Sequence, residues 1–266
     1  MMFVMSVDND LIGLIRYLAK DDPDAAIHRL LPRDSDDAEG LRAKLAEWGH
    51  LVERGNGRMP RAEMMAPMQQ LTATAAHKRG DLDLVKSLHA DMAAMAAATP
   101  PGGYLRRALA SAAAVLVYDF GEKDDIAAAE AIYKGLLTLS REFPADADVA
   151  GSVAQSSICL ITDHGKRSDV DKVRELCNDL FHLFEAHGAH DVVRTMLGRG
   201  SLVLILMLVD AQIVREAQWV AFHLKDLLLS PEFVDYLKEA MDPEGADLHL
   251  DLVKTLVDNY QPAGQN

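Results

Sequence analysis

His190-Asp191 is the first place in this 266-residue chain to look for chemistry, because an adjacent imidazole and carboxylate can hold a divalent metal. His182, Glu185 and His187 sit near one helix end, but no two are four apart, the spacing that puts two ligands on one helical face. Acidic clusters at Asp21-Asp22, Asp34 to Asp37 and Asp124-Asp125 lack the DDxxD spacing that grips magnesium. Each precedes a helix, where carboxylates cap the first turn and suit its dipole. Gly198-Arg199-Gly200 lacks the downstream Gly-Lys-Ser/Thr of a phosphate loop, and its glycines fit close helix packing instead. Cys159 and Cys177 have no CxxC spacing and read as buried free thiols. No nucleophile has a base within arguable reach, so no catalytic residue, metal ligand or cofactor is expected.

The elements that carry these residues repeat. Leu82, Ile126, Val170 and Val214 are each 44 residues apart, and steps of 3, 6, 10 and 13 from each land only on apolar residues. Those steps trace one face of a helix, called helix B here. A second helix, A, precedes it in each unit, with a large apolar residue followed by a small one: Met65-Ala66, Leu109-Ala110, Val153-Ala154 and Leu197-Gly198. Gly121 and Gly165 are expected to hinge A to B, with Gly80 placed three residues late and only Asp210 in the last unit. Pro100, Pro144, Gly188 and Pro231 separate the units. An internal repeat of this length predicts an all-α fold, an α-solenoid of tandem helix-turn-helix hairpins in which each buries its apolar face against its neighbours.

Composition bounds what such a protein does. A net charge of -14 and a pI near 5.1 exclude a phosphate-binding basic face, so no nucleic-acid partner is expected. The longest strongly apolar run, Leu202 to Val209, is far short of the roughly 20 residues that cross a bilayer, so no membrane partner is expected. Met1 to Met5 lacks the basic start of a signal peptide, which makes the cytoplasm the expected location.

The array is read as one continuous chain of three regions. Residues 1–59 form N-terminal cap helices, over Asp10 to Ala19, Asp24 to Leu31 and Asp36 to Arg54. The third is a degenerate helix B, with Ala38, Leu41, Trp48 and Leu51 in register and Lys44 out of line. Gly55-Asn56-Gly57 is the expected joint to residues 60–236, four hairpins. Residues 237–266 hold a C-terminal cap helix and the tail Gln261 to Asn266.

Pro60 to about Tyr236 resembles a divergent tetratricopeptide array. The likeness rests on the large-small pairs of helix A and on Ala129, Tyr133 and Leu136, followed by Phe143-Pro144. The unit is 44 residues where that family has about 34, and Arg106 and Ala113 stand where it has tryptophan and tyrosine. HEAT-like units run to about 40–47, so both likenesses stay open. Either implies a non-enzymatic scaffold for a protein or peptide partner. By resemblance the groove falls on one face of helix A: Gln70 and Thr74, Arg107, Ser111 and Tyr118, Gln155 and Thr162, and Arg199. Arginines on these helices point to an acidic partner, or else pair with nearby carboxylates. Two alternatives remain. His190-Asp191 resembles the paired ligands of helical HD phosphohydrolases, a likeness that implies another histidine upstream, His164 or His182, and an aspartate downstream, Asp210, although in the 44-residue register His190 stands opposite Asp146 at the start of a helix A, where a capping residue is expected. The array could also self-associate through its end helices as a homo-oligomer.

Overall fold

The structure, a computed structural model, describes residues 7–33, 35–55 and 59–262. The Met1 to Met5 opening, Asn56-Gly57 of the joint and the last residues of the tail fall outside them. Every regular element among the described residues is a helix: α1 (Val7–Leu18), α2 (Pro23–Leu30), α3 (Ala38–Arg54), α4 (Arg61–Lys78), α5 (Leu82–Ala98), α6 (Gly103–Glu122), α7 (Ile126–Glu142), α8 (Ala147–Lys166), α9 (Val170–His187), α10 (Asp191–Asp210), α11 (Val214–His223), α12 (Lys225–Leu228), α13 (Pro231–Ala240) and α14 (Pro243–Asp258). The fold is all-α and solenoid-like, with helices packed on those that follow them in the chain.

Four connections share one construction. Helices α5, α7, α9 and α11 begin at Leu82, Ile126, Val170 and Val214. Two residues before each start the backbone turns left-handed, at Gly80 (φ 74°), Asp124 (59°), Ser168 (58°) and Gln212 (60°). The next N–H then reaches the carbonyl five residues back, at 2.8 to 3.1 Å: Asp81 to Ala76, Asp125 to Phe120, Asp169 to His164 and Ile213 to Leu208. This is the six-to-one bond of a Schellman cap. In three of the four the same residue also starts the following helix, as the Asp81, Asp125 and Asp169 carboxylates accept from the backbone N–H of Leu84, Ala128 and Lys172. Ile213 makes no such bond. The expected hinge glycines Gly121 and Gly165 instead lie inside α6 and α8, three residues short of the turn. Only Gly80 stands on it, because it is the Schellman bond joined to an Asp cap that ends one helix and opens the next.

The chain divides into two compact units, Met1–Ser152 and Val153–Asn266. In the first, α1 packs on α2 and α4, α3 on α4, and α4 to α7 pack successively. Trp48 is fully buried and donates its indole N–H to the Met64 carbonyl at 2.9 Å. Lys44, out of line in the apolar pattern, proves to be a tie between elements. Its ammonium donates to the Leu31 carbonyl just past α2, at 2.7 Å, and to the Asp36 carboxylate. Desolvation would raise the Asp36 pKa, but the bonds from Lys44 and Arg33 outweigh it and hold it below its ordinary value.

In the second unit α9, α10 and α11 pack successively, and α14 covers α11. Arg174 on α9 clasps Glu216 on α11 with two parallel bonds, at 2.6 and 2.9 Å. Gly198 is the small half of a large-small pair because the Phe233 ring occupies the space its Cβ would need. The last helix B, expected to run unbroken from Val214 to Leu227, breaks at Leu224 into α11 and α12. Next to the break the His223 side chain donates to the Trp219 carbonyl at 2.8 Å. By length and composition α10 is apolar enough to span a bilayer, with mean hydropathy 1.8. Half of that stretch is buried inside the protein.

Candidate functional site

The residues expected to line a groove divide by burial. On α4 and α6, Gln70 and Ser111 are only 6% and 5% exposed, because these two helices pack directly on each other. They offer a partner almost no surface. Thr74 is half-buried and donates its hydroxyl to the Gln70 carbonyl at 3.0 Å. Tyr118 keeps an exposed ring, packed edge-on against His77 at 5.6 Å, and His77 Nδ1 lies 2.8 Å from the Asp119 carboxylate. On α8, Gln155 is half-buried, and exposed Thr162 donates to the Ile158 carbonyl.

The arginines differ in what they touch. Arg106 donates to Asp146 at 2.9 Å and to the Pro101 carbonyl, and covers the Phe143 ring at 4.4 Å. Asp146 in turn caps α8 through the Val149 N–H, so Arg106 locks a helix start. Arg107 lies 3.0 Å from Asp148. The basic α6 therefore meets acids of its own unit. Arg194 on α10 reaches Glu232 at 3.5 Å. Arg199, also on α10, is half-buried with its guanidinium over the Tyr236 ring at 5.8 Å, and among the described residues no carboxylate pairs with it.

Glu63 shares the helix face of Gln70 in sequence, yet its carboxylate is buried and accepts from the N–H groups of Gly102 and Tyr104 at 2.7 and 3.0 Å. Gly102 has no side chain to cap α6, and Glu63 supplies that cap from α4. Nothing local in the sequence signals this, because cap and helix start lie some 40 positions apart.

His190 stands at the N-cap of α10 but makes no capping bond, and its buried Nδ1 has no hydrogen-bond partner among the described residues. The capping role expected of its side chain is therefore not met. Backbone extension at His190 (φ -86°, ψ 114°) is enough to begin the helix. His182 donates through Nδ1 to Glu185 at 3.2 Å and accepts from Asn178, all on the exposed face of α9. Among the described residues no three His, Cys, Asp or Glu side chains converge as metal ligands would. The acidic clusters cap helices: Asp22 accepts from Ala25, Asp37 from Gly40 and Asp125 from Ala128, while Asp34 lies outside the described residues. Burial in apolar surroundings pushes the Cys177 thiol up to about 12, far from the range of a nucleophile.

Compared with known protein families, curated proteins and solved structures, the chain matches none.

Proposed function

We propose that this protein is a non-enzymatic interaction module, an array of helical hairpins of the tetratricopeptide or HEAT kind, that binds an acidic protein or peptide segment. The recurrence of one turn at Gly80, Asp124, Ser168 and Gln212, 44 residues apart each time, supports the array. Arg199 carries the binding reading. A half-buried guanidinium held over a tyrosine ring without a carboxylate partner is poised for a planar acid, and it loses less side-chain freedom on binding than an unsupported arginine would.

The test begins with a pull-down and mass-spectrometric identification of bound proteins, followed by titration of the recovered partner. Arg199→Glu should weaken binding by about tenfold or more at moderate salt, since a charge-assisted bond contributes roughly 1.5–3 kcal/mol. Lys172→Glu on α9, where Lys172 already pairs with Glu175 at 2.8 Å, should do much less. Equal losses from both, or none from Arg199→Glu, would defeat the reading.

Self-association is a second reading, favoured by apolar side chains left in water on α9, α11 and the turn before α11: Phe181, Ile213, Val214 and Trp219 are 39% to 53% exposed. Sedimentation of the protein and of Trp219→Lys decides it, because a dimer through these residues should dissociate in the variant.

A further inference from the structure

Between α3 and α5, above α4, the first unit holds a cavity of about 450 Å³, inside the roughly 300–1,000 Å³ range of ligand sites. Gln69 and Met65 from α4 line it. Gln69 is 4% exposed, and its carboxamide oxygen is buried with no hydrogen-bond partner among the described residues. A buried amide left unpaired opposes folding, and a methionine at this position would avoid that cost. The walls add Leu45 from α3 and Leu88 from α5, with Arg42 and Asp91, neither of which is ion-paired among the described residues. Gly49 opens a notch in the α3 wall, where an added Cβ would meet only the Met65 methyl at 3.9 Å.

We propose that this groove binds an extended peptide segment of a partner protein, one backbone N–H of which donates to the Gln69 carboxamide oxygen. A peptide N–H is the neutral donor that this acceptor oxygen lacks. Leu45, Met65 and Leu88 receive an apolar side chain beside that peptide group. Arg42 and Asp91 complement an acid and a base flanking it. A purely apolar occupant would leave Gln69 unpaired and desolvate both charges, which argues for a peptide. The proposal rests on the interaction-module reading for its occupant but uses residues separate from Arg199.

The probe is N-acetyl-leucine N-methylamide, titrated into the nitrogen-15-labelled full chain while the Gln69 side-chain amide and the Gly49 N–H are followed by NMR. Saturable shifts at both positions are expected. The matching methyl ester, which lacks one N–H donor, should bind about three- to tenfold more weakly, the worth of one neutral hydrogen bond. Gln69→Met should erase the difference between amide and ester and melt at or above the wild-type temperature. Gly49→Leu, which places a side chain at the notch, should abolish the shifts, and Arg199→Glu should leave them unchanged. The proposal falls if no saturable shift occurs, if amide and ester bind equally because water already satisfies Gln69, or if Gln69→Met melts well below wild type, which would reveal a partner within the protein. Loss of partner binding in Arg199→Glu with the Gln69 shifts intact separates the fates of the two readings.

Discussion

Glu63 caps a helix to which it does not belong, and its removal should cost more than the loss of an ordinary cap. Glu63→Ala leaves the Gly102 and Tyr104 N–H groups at the start of α6 without their acceptor. Because the carboxylate is buried and charged, the loss should be about 2–4 kcal/mol in chemical denaturation, against about 1 kcal/mol for an exposed cap. His89 makes the opposite contribution. Burial holds its imidazole below the ordinary value of 6.5, so the unfolded chain takes up the proton first as pH falls. Stability linked to His89 is therefore present above pH 6.5 and is lost on acidification towards the folded pKa. A His89→Gln variant should lose less melting temperature than wild type between about pH 7.5 and pH 5.5. Equal losses would mean the group is solvated. The roles of Glu63 and Lys44 depend on partners across the packing, which periodicity cannot show. The Asp caps were legible because the cap and the N–H that it receives lie three residues apart.

At the scale of elements, the hairpin turn explains both what the sequence revealed and what it hid. Helix B starts and the apolar stripe were readable from spacing, since burial demands one face at helical period; among the stripe residues named at the four helix starts, only Val214 is exposed. The turn was misplaced because glycine is the usual sign of a left-handed residue, whereas Asp124, Ser168 and Gln212 adopt that conformation here. The fourth turn lacks the aspartate of the other three. Ile213→Asp should thus supply the missing cap of α11 and remove a 40% exposed isoleucine, raising stability by about 1 kcal/mol. Thermal melts of the variant decide it, and an unchanged or lower melting temperature would mean that α11 begins differently from α5, α7 and α9. The break at Leu224 had no signal in the apolar pattern, which continues through it to Leu227.

For the molecule as a whole, each unit stands on its own buried stripe. Leu136 is 2% exposed in the first unit and Leu180 fully buried in the second, so Leu136→Ala and Leu180→Ala should each cost about 2–5 kcal/mol. A cost below about 1 kcal/mol at both positions would mean that the stripe is not a core. The protein also contains two tryptophans, and their surroundings could hardly differ more. Trp48 is sealed in the first unit with its indole N–H bonded to Met64, and should emit at short wavelength. Trp219, 53% exposed on α11 in the second unit, lies 4.3 Å from the His223 ring and should emit at long wavelength. Heating while recording the two colours separately would report the melting of each half of the chain without any added label, and would tell whether a substitution in one half is felt in the other.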